Sequence, residues 1–238
     1  GTPDGYEAAV DEPFFESLAT IQSAADAFRT VLSDAGAGNP LLDDHDRRIV
    51  DETRTGTAAF TGSVSGLPGI PDNEADVGGF EDFPQETRAA DWDSDRDGLP
   101  DWWERWNGTH PDSVTGDWSD AHRDDDRDGF TALDDYLNWM AAPHGFIDVN
   151  DTLTVDGAEL FRGFTDSPVY TVVAVSGGSA AVSGASITFT PAACGLAALS
   201  IRVTDENDST MTRTVGIFVD SSPAGTCTLK QDENPPGP

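Results

Sequence analysis

Hydrophobic residues in the N-terminal part of the chain recur every three or four positions, which is the spacing of one face of an α-helix. This pattern predicts a first amphipathic helix over residues 12–35 and a second, shorter helix over residues 43–54. Glycines end both patterns, at Gly36 and at Gly56. Residues 1–71 are therefore predicted to form a helical N-terminal segment that continues into an extended linker rich in Gly, Pro and Ser.

After residue 147 the pattern changes to short runs of Val, Thr, Ile and Ala that alternate with polar residues between turn-forming positions. About seven short strands at this spacing predict an antiparallel β-sandwich over residues 147–222, followed by a flexible tail at 223–238. The fold class is thus mixed α and β. The candidate strands are Leu153–Val155, Val169–Val175, Ser186–Thr190, Leu199–Thr204 and Arg213–Val219.

The charge is extremely negative, with 44 acidic against 13 basic residues and a net charge of −31. Such a surface repels nucleic acids and anionic membranes, so we expect no nucleic-acid partner. No run of 18 apolar residues exists to span a membrane. Two interpretations of the acids stay open, namely cation ligands and a salt-adapted, halophilic surface that stays soluble where salt screens repulsion.

Residues 72–146 contain the densest acidic stretch, and its first part has the spacing of a 12-residue calcium loop. Carboxylates fall at loop positions 1, 3, 5, 9 and 12, glycine falls at position 6, and a backbone carbonyl is available at position 7. Short oxygen ligands around a sharp glycine turn are what calcium requires. The predicted ligands are Asp93, Asp95, Asp97, Leu99 through its carbonyl, Asp101 and Glu104.

A second loop aligns on Gly129 and departs from the pattern at two positions. Ala132 stands at position 9, where water can substitute, and position 12 is an aspartate, which reaches less far than glutamate. We expect this site to be weaker or to accept magnesium more readily. Its predicted ligands are Asp124, Asp126, Asp128, Phe130 through its carbonyl and Asp135.

The two loops predict a tandem calcium-loop region that binds two Ca²⁺ ions. Residues 91–135 carry 15 acids and 4 arginines, a net of 15 − 4 = 11 negative charges that oppose folding until cations neutralise them. We expect structural ions with the modest affinity of extracellular modules, in a secreted or cell-surface protein. Cys194 and Cys227 fit a disulfide in that setting, with two buried free thiols as the alternative.

No catalytic constellation is recognisable in the sequence. The four histidines lie in polar surroundings without a nucleophile motif, and surface or capping roles are expected for them. The tryptophans around the loops have two interpretations, a platform for sugar rings or part of the small core between paired loops. The helical spacing of Trp102 and Trp106, and of Leu133, Leu137 and Met140, favours the core.

Several runs across residues 20–140 resemble the C-terminal region of bacterial secreted pectate-lyase-like polysaccharide lyases. The resemblance lies in residues 27–37, 46–57, 78–80, 93–104, 107–109 and 128–138, which follow in matching order and spacing. In that family a right-handed parallel β-helix lies upstream and carries calcium-assisted β-elimination of uronate polymers. No β-helix repeat occurs here, so the resemblance implies no catalytic residue in this chain. Residues 199–205 and 212–219 are similar to bacterial immunoglobulin-like or cadherin-like modules.

Two functions follow as hypotheses. The chain is the non-catalytic C-terminal portion of a pectate-type lyase, or it is a calcium-stabilised structural or adhesive subunit of a surface or fibre. The first predicts an upstream β-helix domain as partner, and an acidic polysaccharide as a further partner. The second predicts copies of the chain itself, or packing of the helical face over residues 12–56 on the β-sandwich.

Overall fold

The computed structural model describes residues 20–36, 42–82 and 87–220. These residues form a mixed α and β protein with five α-helices, one 3₁₀ helix and seven strands. The helices are α1 (Ala24–Asp34), α2 (Asp44–Thr55), α3 (Asp101–Asn107), α4 (Ala132–Ala141) and α5 (Gly157–Leu160), with the 3₁₀ helix at Glu74–Val77. The predicted second helix is confirmed to within one residue at each end. The first helix begins at Ala24, with Ser23 as its N-cap. The part of this helix predicted for residues 12–19 lies outside the described residues.

The strands form two sheets that pack face to face. They are β1 (His144–Asp148), β2 (Leu153–Asp156), β3 (Val169–Ser176), β4 (Gly178–Ser183), β5 (Ser186–Pro191), β6 (Gly195–Thr204) and β7 (Thr210–Asp220). One sheet has the order β1-β7-β6-β3 and the other the order β2-β5-β4. The five predicted strands are confirmed, and β1 and β4 are additions.

The antiparallel prediction needs one correction, because β1 runs parallel to β7. His144 pairs with Gly216 and Asp148 with Asp220 in this register. β1 follows the acidic region in the chain and is an edge strand of the four-stranded sheet. It begins at His144, three residues before the expected boundary at 147. The remaining strand pairs are antiparallel.

The main core lies between the two sheets and follows the period of two along the strands. β6 buries alternate residues along its length, and β5 contributes Ile187 and Phe189 from the opposite sheet. The segment around α5 closes one end of the core with Phe161 and Phe164. This buried cluster is what makes the C-terminal part a packed sandwich.

Helix α1 is fixed to the sandwich by polar contacts at its middle and at its C-terminal end. Arg213 on β7 donates to the backbone carbonyl of Ser33 at 2.8 Å and pairs with Asp34 at 2.5 Å. Arg29 pairs with Asp205 at 2.7 Å. Gly163 lies directly against the α1 backbone, where a β-carbon would overlap the carbonyl of Arg29. The apolar residues Leu32, Leu42 and Val50 then join α1 to α2 in a small separate core.

The acidic region packs on the outer face of the four-stranded sheet through tryptophan side chains. Gly216 on β7 leaves room for the indole of Trp139, and Gly195 on β6 leaves room for Trp106, whose ring would lie 2.7 Å from an added β-carbon. Trp102 lies 4.5 Å from Phe218, measured between ring centroids. These contacts explain why both positions on the sheet are glycines.

A second core cluster lies inside the acidic region and confirms the core interpretation for most of its aromatic residues. Leu99, Trp103, Ala121 and Tyr136 are buried there, and the partly buried side chains around them include Trp92, Trp102, Leu133, Trp139 and Met140. The expectation is wrong for Leu137, which is 53% exposed, and for Trp106, which packs on Gly195 of the sheet and not in this cluster. Trp118 is also exposed and stacks on His122.

Two further expectations touch the described residues only in part. Cys194 is disulfide-bonded, whereas Cys227 and the predicted tail at 223–238 lie outside the described residues. Within the described ranges, none of the helices is both long and apolar enough to cross a membrane.

Candidate metal centre

The first acidic loop is held in a tight turn by its own carboxylates. The backbone N–H of Gly98 donates to Asp93, that of Asp97 donates to Asp95, and that of Leu99 donates to Asp97, at 3.2, 3.3 and 2.9 Å. Gly98 has a φ of 95°, which an L-residue with a side chain rarely adopts. One carboxylate oxygen from each of the three aspartates therefore lies within 4.8 Å of the others, facing one point.

Several carboxylate oxygens at this point are buried without a hydrogen-bond partner. They are Oδ1 of Asp93, Oδ2 of Asp97 and both Oε atoms of Glu104. Glu104 is 0% exposed, as is Asp97. A buried carboxylate without a donor costs several kcal/mol in principle, so a native fold keeps such groups only where something else satisfies them. A cation is a group that can satisfy such oxygens, and among the described residues the carboxylates that converge within 4.8 Å are those of Asp93, Asp95 and Asp97, without Glu104.

The same burial raises the pKa values of two carboxyl groups in the metal-free loop. Burial raises the pKa of Glu104 to about 8, and the charges of Asp95 and Asp97 add to the effect. Burial likewise raises the pKa of Asp97. Helix α3, which begins at Asp101, carries Glu104 into this environment, so the carboxyl at loop position 12 lies beside the aspartates at positions 3 and 5.

The second loop repeats the first one bond for bond. Gly129 donates to Asp124 at 3.2 Å, Asp128 to Asp126 at 3.3 Å and Phe130 to Asp128 at 2.8 Å. Gly129 has a φ of 98°. The carboxylates of Asp124, Asp126 and Asp128 again offer one oxygen each within 4.8 Å.

Other backbone features of the two loops also coincide. The fourth position is an arginine with left-handed backbone in each, with φ of 61° at Arg96 and 62° at Arg127. The backbone N–H at position 9 donates to the carbonyl just before the loop in each, from Asp101 to Trp92 at 2.9 Å and from Ala132 to Arg123 at 2.8 Å. The spacing seen in the sequence thus produces one backbone conformation twice.

The two loops differ in burial. The three aspartates of loop two are exposed, and Phe130 is 52% exposed where its counterpart Leu99 is 0% exposed. Asp135 on α4 is nonetheless close to the loop, since burial and then the charges of Asp128, Asp126 and Asp124 raise its pKa. Loop two therefore presents the same three aspartates with more access to water.

Asp101 is engaged by neighbouring protein groups. Its carboxylate accepts from the backbone N–H and the hydroxyl of Ser94, at 2.8 and 2.9 Å, and pairs with Arg105 at 3.1 Å. These contacts hold Asp101 at the first residue of α3 and connect it to Ser94 at position 2 of the loop. As a ligand at position 9, Asp101 would contact the cation through a bridging water molecule.

The structure adds two residues to the surroundings of loop one that the loop pattern did not include. Ser113 donates its hydroxyl to Asp95 at 2.6 Å. Asp120 is buried and accepts from both the backbone N–H and the ring of His110 and from Arg123, at 3.0, 2.9 and 3.3 Å. Burial opposes the ionisation of Asp120, but these hydrogen bonds hold its pKa below the usual value. Both residues follow the loop motif, so only the tertiary fold brings them to it.

Comparison with known proteins gives no family. No protein-family model matches the sequence, and no curated protein matches it. Among solved structures, the PKD domain from KIAA 1837 protein is similar with a TM-score of 0.26 and 16% identity, over 37% of this chain and 87% of that domain. A nucleoside hydrolase-related hypothetical protein from Saccharophagus degradans, described as associated with carbohydrate metabolism, has a TM-score of 0.24 and 20% identity, over 34% of this chain and 23% of that one. Scores this low carry no conclusion about fold or function.

Proposed function

We propose that this chain is an extracellular, non-catalytic calcium-binding module in which the ions are structural. The observation that carries the proposal is the carboxylate of Glu104, which is 0% exposed and accepts no well-formed hydrogen bond on either oxygen, although the hydroxyl of Thr109 lies nearby. It lies close enough to Asp95 and Asp97 for their charges to act on it, and Asp97 has an oxygen that is buried in the same way. An arrangement of this kind is costly for an empty turn and favourable for a cation site.

The donor set favours calcium among the common metals. Loop one offers carboxylate and backbone carbonyl oxygens and contains no histidine or cysteine ligand, which disfavours zinc and copper. In an EF-hand-like arrangement, Asp93, Asp95, Asp97, Glu104 and the Leu99 carbonyl would hold one ion. Asp124, Asp126, Asp128, Asp135 and the Phe130 carbonyl would hold the second. The ions would supply positive charge, and the two loops would supply the oxygen ligands that surround it.

The structural consequence follows from where α3 lies. Trp102 and Trp103 fall between Asp101 and Glu104, so a cation that holds Glu104 also holds these rings against the core and the sheet. Because the region carries 11 excess negative charges, two divalent ions remove four of them. Calcium binding is then coupled to the folding of residues 91–141.

A calcium titration tests this function directly. Isothermal titration calorimetry of the chelator-treated chain should give two sites for calcium, and magnesium should compete better at loop two than at loop one. Asp97→Asn should remove the tighter site and Asp128→Asn the weaker one. A titration with no heat and no change in tryptophan fluorescence would overturn the proposal.

Within this function, the origin of the chain as the C-terminal portion of a pectate-type polysaccharide lyase rests on the sequence resemblance alone. The second candidate is a calcium-stabilised structural or adhesive subunit. One observation favours it: α1 is fixed to the chain's own sandwich by Arg29 and Arg213. The outward side of the same helix still exposes Phe28 and Val31, which a partner would cover.

The native mass of the protein purified from its source separates the two candidates. A co-purifying polypeptide with β-helix repeats would support the lyase origin, whereas regular self-assembly would support the fibre or adhesive subunit. Light scattering combined with size-exclusion chromatography, followed by mass spectrometry of each peak, distinguishes these results.

A further inference from the structure

Three asparagines in the sequence are followed two positions later by serine or threonine, with no proline between, which is the acceptor pattern for N-linked glycosylation. They are Asn107, Asn150 and Asn207. The pattern also arises by chance, so the local fold around each asparagine decides its meaning. An asparagine whose amide group stabilises the fold is explained by that role, whereas an exposed one that the fold does not use is a candidate for modification.

Two of the three asparagines have a structural role for their side chains. The amide nitrogen of Asn107 donates to the backbone carbonyl of Trp103 at 2.9 Å, at the end of α3, and Thr109 of the same motif is buried. Asn150 lies in the turn after β1, where its amide nitrogen and its backbone N–H both donate to Asp148, at 3.4 and 3.1 Å. The conformation of the chain accounts for both of these side chains.

Asn207 is exposed in the turn between β6 and β7, and this turn does not need an asparagine there. Asp205 holds the turn by accepting from the backbone N–H groups of Asn207 and Ser209, at 2.9 and 3.0 Å. The left-handed position, where asparagine is favoured, is occupied by Asp208 with a φ of 61°. Within the described part of the chain, the side-chain amide of Asn207 makes no hydrogen bond. The turn therefore uses only the backbone N–H of Asn207, which any residue except proline supplies.

The residues on either side of Asn207 anchor the turn to the N-terminal helix. Ser209 donates its hydroxyl to Asp26 of α1 at 2.5 Å, and Asp205 pairs with Arg29 of the same helix at 2.7 Å. Asn207 lies between these two anchored residues with its side chain exposed. A bulky group on its amide can extend into solvent and leave both contacts in place.

From these observations we propose that Asn207 carries an N-linked glycan. Its amide nitrogen forms a bond to the anomeric carbon of a glycosyl diphosphate lipid, supplied with its transferase by the secreting cell. The bond from that carbon to the phosphate oxygen breaks, the lipid diphosphate leaves, and the amide loses one proton. Attachment precedes closure of the turn, because the hydroxyl of Ser209 is engaged by Asp26 in the folded chain. The proposal rests on the extracellular location in the proposed function and not on calcium binding.

Peptide mapping of the protein purified from the cells that produce it tests this proposal. Trypsin cuts after Arg202 and Arg213 and releases residues 203–213, in which Asn207 is the one asparagine. Most of this peptide should be heavier by a whole number of sugar residues, and fragmentation that preserves glycosidic bonds should place the added mass on Asn207.

Failure of this inference is distinguishable from failure of the proposed function. Protein recovered outside the cell with an unmodified peptide, or with sugar on a serine or threonine of the same peptide, overturns the inference alone. Protein that stays inside the cell overturns the extracellular location and the inference with it. Failure of the calcium function shows in the calorimetric titration and leaves the mass of this peptide unchanged.

Variants produced in the same cells separate the acceptor motif from the structure of the turn. Asn207→Gln should abolish the added mass, and Ser209→Ala should abolish it as well although Asn207 is retained, whereas Ser209→Thr should keep it. Asp26→Ala is the matched control, because it removes the same hydrogen bond as Ser209→Ala and leaves the motif intact, so the added mass should persist. Added mass that survives in Ser209→Ala, or that is lost in Ser209→Thr and Asp26→Ala alike, would overturn the proposal.

Discussion

Glu104→Gln removes the charge from the buried carboxyl at loop one and leaves a side chain of nearly the same size. In calcium, the wild-type chain should be stabilised by the free energy of binding. With an affinity of about 10⁻⁴ M, as in extracellular modules, about 10 mM calcium is a roughly hundredfold excess. That excess corresponds to about 2.7 kcal/mol.

For a chain of this size, about 2–4 °C of melting temperature corresponds to each kcal/mol, so calcium should raise the wild-type transition by roughly 5–11 °C. In the variant the first site loses its bidentate ligand, and most of that rise should disappear. In chelator the order should change. With its pKa raised to about 8, the buried Glu104 carboxyl is mostly protonated in the metal-free chain near pH 7, and taking up that proton on folding costs stability. Glutamine is neutral in both states, so the metal-free variant should be at least as stable as the metal-free wild type.

Differential scanning calorimetry in calcium and in chelator measures all four values, with Glu74→Gln as the control for loss of a charge. The expected pattern is an interaction between substitution and calcium, absent in the control. If Glu104→Gln keeps the full calcium-dependent rise, Glu104 is no ligand and its burial needs another cause. If it melts far below the wild type in chelator as well, its role is packing and not metal binding.

Three further predictions test other parts of the structure. Asp135→Asn should weaken the loop-two calcium site about tenfold and lower the melting temperature less than Glu104→Gln does, because loop two is exposed; calorimetric titration checks this. Gly216→Ala should cost about 1–3 kcal/mol in thermal unfolding, since the new methyl group meets the indole of Trp139, and Trp139→Leu in the same chain should recover part of the loss. Backbone N–H groups of Ser65 and Val64 hold the pKa of Asp72 below its usual value, so its stabilising effect is complete above that usual value and is lost as pH falls through the lowered one. NMR of those two amides should show the loss in acid, and Asp72→Asn should abolish the pH dependence.

The local parts of this fold could be read from the sequence because they depend on residues close together in the chain. The loop conformation needs aspartates two apart and a glycine with positive φ, and both loops supply them around Gly98 and Gly129. Helix α2 likewise has its cap and its ending glycine within its own segment. In each case the physical cause is a contact between residues fewer than six positions apart.

The remaining features depend on contacts between distant segments. The parallel pairing of β1 with β7 joins residues about seventy positions apart, and no local pattern announces its direction. The burial of Glu104 depends on the whole loop region closing over it, and the role of Asp120 depends on His110 and Arg123 meeting it. Leu137 has the right helical spacing for the core, yet the side of α4 that faces the sheet is chosen by Trp139 packing on Gly216.

The difference in burial between the two loops implies an order of binding. In loop one, the protein has already removed Glu104 and Asp97 from water, so a cation there displaces no water from these groups and, near neutral pH, takes the place of the proton that the raised pKa of Glu104 holds. In loop two, a cation has to displace water from three exposed aspartates, and position 12 offers the shorter side chain. The first ion should therefore bind more tightly and exchange more slowly. Because Glu104 and Trp103 share α3, that first ion also decides whether the tryptophan core forms, and the second ion binds to a loop that the first has already helped to order.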